Sequence, residues 1–146
     1  MKALNFITTL TLLFLSVAVV RSADNVQKPM SDAEITRKLI GVWLVDVQSA
    51  DGSSSLKGTI TMDKTGGMIA VNKITGKNRN VEVQYSGTWQ VKDGILLENV
   101  MVTSNPVLLP VPTVYREKII RLNEDELVYE KLNGTLASRK RQKKNP

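Results

Sequence analysis

The chain has 146 residues, no cysteine, no histidine and a formal net charge of +6. Without Cys or His there is no disulfide framework, no Ser-His-Asp or Cys-His nucleophilic site, and none of the usual zinc or haem donor sets. The charge does not describe a nucleic-acid-binding surface, because Lys2 and Arg21 sit at one end and Arg139, Lys140, Arg141, Lys143 and Lys144 at the other, with a nearly neutral body between them.

Lys2, the apolar run Phe6 to Val20 and the short residues around Val20-Arg21-Ser22 read as a secretory signal over residues 1–22. A spanning helix needs roughly 20 apolar residues. This run is shorter and is interrupted by Thr8, Thr9, Thr11 and Ser16, so the protein is expected to be secreted or periplasmic. Residues 23–30 are polar, carry Pro29 and have no apolar period, which describes a flexible leader.

Ser31 followed by Glu34 is a capping box and predicts a short helix, which Gly41 ends. From there Trp43, Val45 and Val47 alternate with Leu44, Asp46 and Gln48, the pattern of a half-buried strand. Turn pairs then recur along the chain: Asp51-Gly52, Gly66-Gly67, Thr75-Gly76, Asp93-Gly94 and Asn133-Gly134. The runs between them are short and strand-like, and together they predict an antiparallel meander.

Leu56, Gly58, Ile60 and Met62 share one face of the next run. Met68 to Ile74 is apolar on both faces, leaving its orientation open. In Val81 to Val91, Val81, Val83, Tyr85, Gly87, Trp89 and Val91 alternate with polar residues, and Gly87 within the apolar file predicts a sharp bend or the close approach of another backbone. Ile95 to Thr103 is again apolar on both faces. Asn105 to Pro112 carries three prolines and reads as a loop or edge, and three more runs, Thr113 to Leu122, Glu126 to Leu132 and Thr135 to Lys140, complete the series. The sum is an all-β domain over residues 31–141, an antiparallel up-and-down barrel of about eight strands with a short N-terminal helix, followed by a basic tail at 142–146.

Gly41 and Trp43 after a short helix, Gly87-Thr88-Trp89 in mid-chain, and Ile119-Ile120-Arg121-Leu122 leading to Leu127-Val128-Tyr129 resemble small secreted lipocalin-like proteins of bacteria over Leu39 to Arg141. The resemblance implies a calycin-type barrel whose base is closed by Gly41 and Trp43. It also implies an Arg from the end of the chain packed over that Trp, a place open to Arg139 or Arg141 and assigned to Arg139.

No catalytic residue, metal ligand or cofactor is expected. An acid and base pair needs two carboxylates converging in a cleft, and the obvious candidates, Glu82 and Glu98, stand at alternating positions assigned to a solvated face. Met62, Tyr85 and Trp89, in file with Trp43, either line an apolar pocket or fill the core, and Leu108 and Leu109 in the proline loop are the further candidates for ligand contact. The expected function is non-enzymatic binding of a small apolar ligand by an exported lipocalin-like protein. The alternative is an envelope interaction or inhibitor-type module with a filled barrel, acting through Pro106 to Pro112 and the basic tail. Nucleic acid is not expected as a partner, and membrane contact only peripherally through that tail. An interior cavity of roughly 300 Å³ or more separates the two readings.

Overall fold

Helix α1 (Asp32–Leu39) starts where its cap predicts. In the computed structural model, which describes residues 29–49 and 51–143, the Ser31 hydroxyl accepts from the Glu34 amide at 3.3 Å, and the Glu34 carboxylate accepts from the Ser31 amide at 2.9 Å. The signal segment 1–22, most of the leader 23–30 and the end of the tail fall outside the described residues. One turn apart on the same side of α1, Ile35 and Leu39 are buried.

Eight strands follow: β1 (Gly41–Gln48), β2 (Ser54–Met62), β3 (Gly67–Gly76), β4 (Arg79–Lys92), β5 (Ile95–Thr103), β6 (Thr113–Leu122), β7 (Glu126–Lys131) and β8 (Leu136–Arg141). Each pairs antiparallel with the next, and β8 returns to β1 to close the barrel. The closing seam is short. Trp43 stands opposite Arg141 and Leu44 opposite Lys140, extended by a Gln142 amide donating to the Val42 carbonyl at 2.8 Å. A closed barrel leaves no unpaired strand edge, which is how an eight-stranded sheet of this length avoids edge-to-edge association.

Side-chain alternation sorts each strand into an inner and an outer file. In β3 the orientation left open by the sequence resolves with Met68, Ala70 and Asn72 inside and Ile69 exposed. In β5 the inner file is Leu96, Glu98 and Val100. Gly87 meets the expectation of close approach: a Cβ there would lie 1.8 Å from the Asn99 carbonyl oxygen, at the point where the β4–β5 register shifts between Ser86 and Gly87. No residue with a side chain fits at that bulge.

The end of the barrel where β1 begins is closed by α1. Trp43, fully buried, donates its Nε1–H to the Leu39 carbonyl at 2.8 Å, and Ile35, Leu39, Met62, Met68, Trp89, Leu96, Leu122 and Leu127 complete the apolar core around it. At the helix start, the Asp32 carboxylate accepts from the Asp93 and Gly94 amides of the β4–β5 turn at 2.8 and 2.9 Å. At the helix end, Arg141 donates to the Lys38 and Ile40 carbonyls, and also to that of Glu124. Its guanidinium lies 4.3 Å from the centre of the Trp43 ring. Gly41, with φ at +137°, turns the chain out of α1 beneath that guanidinium, where a Cβ would come within 2.6 Å of Nη1.

The arginine over Trp43 is therefore Arg141, and the assignment of that place to Arg139 is corrected. The two residues face the same way because they are two apart in β8. Register separates them: Arg141 is level with Trp43, whereas Arg139 is opposite Leu127, one step further into the barrel.

Candidate functional site

Beyond Arg139 the interior is hollow. A cavity of about 480 Å³ occupies the half of the barrel remote from α1. Its apolar wall comes from Val45 and Val47 of β1, Leu56 and Ile60 of β2, and Val114 and Leu132 near the mouth. Asn72, Tyr85, Glu98, Tyr115, Glu117, Tyr129 and Arg139, projected inward by strand alternation, supply most of the polar part, and Arg116, Lys131 and Asn133 also line it.

The polar part centres on Arg139, 4% exposed on β8. Its Nη1 donates to Glu98 Oε1 at 2.5 Å, and its Nη2 donates to Glu117 Oε2 at 2.8 Å and Oε1 at 2.9 Å. The guanidinium carbon lies 4.9 Å from the centre of the Tyr129 ring. Three charges thus come together from β5, β6 and β8, out of reach of bulk water, where ion pairs repay their desolvation only when geometry and hydrogen bonding are good.

Burial works against the charge on Arg139, but the Glu98 and Glu117 carboxylates outweigh it and hold the guanidinium protonated well above its usual range. Glu117 is pushed up to about 7. Burial is the main cause; Arg139 pulls its carboxyl down and the nearby Glu98 carboxylate pushes it up again. One guanidinium does not fully compensate two buried carboxylates. Burial also raises the hydroxyls of Tyr85, Tyr115 and Tyr129 above the usual phenol range, so all three are neutral donors at physiological pH.

Of the residues singled out from the sequence, Tyr85 lines the cavity. Met62 and Trp89 do not, being packed around Trp43 in the closed end. Leu108 is exposed in the proline loop, Leu109 turns in against the core, and neither lines the cavity. Glu98, expected on a solvated face, is only 1% exposed and is corrected to the interior. It occupies the middle of the file Leu96-Glu98-Val100, whose neighbours are both fully buried, and that placement was the available signal. Glu117, Asn72, Tyr115 and Tyr129 were not anticipated. Glu117 and Tyr115 lie on one face of β6, but nothing local in the run distinguishes that face from the other.

Compared with known proteins, the chain matches no family model and has no match among curated sequences.

Proposed function

We propose that the protein binds a small, largely apolar molecule inside the open half of its barrel and performs no chemistry on it. The observation that carries this reading is the cavity of about 480 Å³, with a wall of valine, leucine and isoleucine on one side and tyrosines, Asn72 and the Arg139 cluster supplying polar groups. Sites for small molecules are typically concave, mostly apolar and of this order of size. Both glutamates of the cluster are engaged by Arg139, which suits a positioning or recognition role better than proton transfer. The predicted signal over residues 1–22 supports an exported carrier, and the motifs around Gly41-Val42-Trp43 and Gly87-Thr88-Trp89 support a lipocalin-like one.

The test is titration with the neutral fluorophore phenylnaphthylamine, beside native mass spectrometry of protein isolated from its source. Saturable binding by the parent, abolished when Val47→Trp fills the cavity without altering the fold, is the expected result. Binding that survives Val47→Trp places the site elsewhere, and absence of binding removes the reading. In that case the interaction-module reading takes over, supported by Val107, which stands 90% exposed in the proline loop.

A further inference from the structure

Resting on the ligand-binding reading above, we infer that the polar end of the ligand is an ammonium group, so that the molecule held is an amine with an apolar tail rather than an acid or an alcohol. Four features of the cavity point the same way.

The first is charge. Glu98 and Glu117 face a single guanidinium, and both Nη atoms of Arg139 are already occupied by them. Within the contacts of Arg139 the carboxylates outnumber the guanidinium two to one. Lys131, half-buried at the end of β7, also lines the cavity and draws the Glu117 carboxyl down, yet among the described residues it forms an ion pair with neither glutamate. Arg116 reaches the lining from β6 but is exposed.

The second is the rings. Tyr85, Tyr115 and Tyr129 line the same space, and an aromatic face attracts a desolvated ammonium. The third is Asn72. It is 95% buried, at 5% exposure, its Nδ2 stands 3.4 Å from the Tyr85 hydroxyl, and its Oδ1 has no hydrogen-bond partner among the described residues. An unpaired buried acceptor needs a donor, and an ammonium brings three.

The fourth is Glu117, which retains its proton up to about pH 7. The groups facing it are Glu98 of β5, Tyr115 of β6, Tyr129 and Lys131 of β7, and Arg139 of β8. A cation arriving among them favours the ionised carboxylate, so ammonium binding releases a proton and strengthens as pH rises through that value. A carboxylate ligand is repelled by the two glutamates, and the groups left to receive it are Arg116, Lys131, the tyrosine hydroxyls and the Nε of Arg139. These donors favour a ligand oxygen, and an alcohol and a carboxylate are therefore the competitors to test.

Isothermal titration of the full protein with octylammonium, octanol and octanoate, which share one tail, isolates the head group. Octylammonium is expected to bind on the order of tenfold more tightly than octanol, with octanoate weakest. Its affinity is expected to rise across the value of about 7 set by Glu117, with proton release seen in buffers of different ionisation heat. Glu117→Gln is expected to retain octanol binding while losing both the ammonium preference and the pH dependence. Octanol or octanoate binding the parent as well as octylammonium overturns the inference and leaves the cavity reading intact, and so does phenylnaphthylamine binding with none of the three. Failure of phenylnaphthylamine and all three octyl compounds takes down both. The head-group comparison is made on the parent, so it stands even if the variant fails to fold.

Discussion

The half of the barrel under α1 and the half beyond Arg139 are made from the same strands, yet one is solid and the other hollow. Under α1, inward positions carry Trp43, Met62, Met68, Trp89, Leu96 and Leu127, large apolar groups that meet across the axis and exclude water. Beyond Arg139 the inward positions carry smaller aliphatic groups at the wall and ring or charged groups at the base, and these do not meet. Arginines mark both halves in different ways. Arg141 lies over an indole and satisfies helix-end carbonyls, whereas Arg139, two residues earlier, is clasped by two carboxylates. Stability is thus concentrated at one end, which frees the other to remain open. Eight strands are the number at which a barrel interior either fills with side chains or leaves room for one small molecule, and here one barrel is filled at one end and hollow at the other.

The largest break in that comparison is Trp43→Ala. The side chain is fully buried, bonded to Leu39 and covered by Arg141, so its removal is expected to cost about 4–5 kcal/mol in urea denaturation. Octylammonium affinity, measured on the folded fraction, is expected to stay near that of the parent because the cavity lies beyond the core. A variant as stable as the parent would show that the closed end is not where stability resides.

Next in size is Arg139→Met. Two buried carboxylates then lose their shared cation, and the expected loss is about 3–4 kcal/mol at neutral pH, shrinking in acid as Glu117 takes up its proton. Replacing all three charges by apolar residues is expected to restore much of that stability while abolishing head-group selectivity. The triad would then contribute specificity more than stability, in contrast to Trp43. Chemical denaturation of the single and triple variants, followed by tryptophan fluorescence, distinguishes the cases.

Glu117 gives a pH dependence with a defined sign. Its folded-state value of about 7 stands above the unfolded 4.5, so its contribution to stability is fully present below the unfolded value and is lost as pH rises through the folded one. The loss between these limits is roughly 3 kcal/mol. Unfolding free energy measured between pH 5 and pH 8 is expected to fall for the parent and to be flatter for Glu117→Gln. Bound octylammonium is expected to reverse the parent's slope in that window.

The strands were legible from the sequence because their information is local. Ile95 to Thr103 and Thr113 to Leu122 form strands with the predicted limits, Ser31 caps the helix, and Gly87 sits where another backbone crowds it. Alternation shows which residues share a face. It does not show how much space lies between opposing faces, and so Trp89 and Tyr85, two members of one file, separated into core and cavity wall. The charged cluster was hidden for a related reason. Glu98 and Arg139 are 41 residues apart and meet only when β8 closes on β1, so a carboxylate in an apolar file looked solvated until its partner was in place. Arg139 and Arg141 are equivalent in pattern and are told apart only by register.

The smallest expected effect is the sharpest check on the independence of the two halves. In Ser31→Ala the hydroxyl that accepts from the Glu34 amide is lost and the capping box opens, at an expected cost of about 1 kcal/mol. Fraying of the first turn loosens Asp32 from the Asp93 and Gly94 amides, and with it the cover over Trp43. Faster hydrogen exchange at the Trp43 indole Nε1–H is therefore expected, with no change in octylammonium affinity. The buried cluster of Arg139, Glu98 and Glu117 lies between that indole and the cavity, and nothing in its hydrogen bonding refers to α1. If affinity fell in step with stability, the solid and hollow halves would be one cooperative unit, and the charged cluster would transmit strain along the barrel axis rather than divide it.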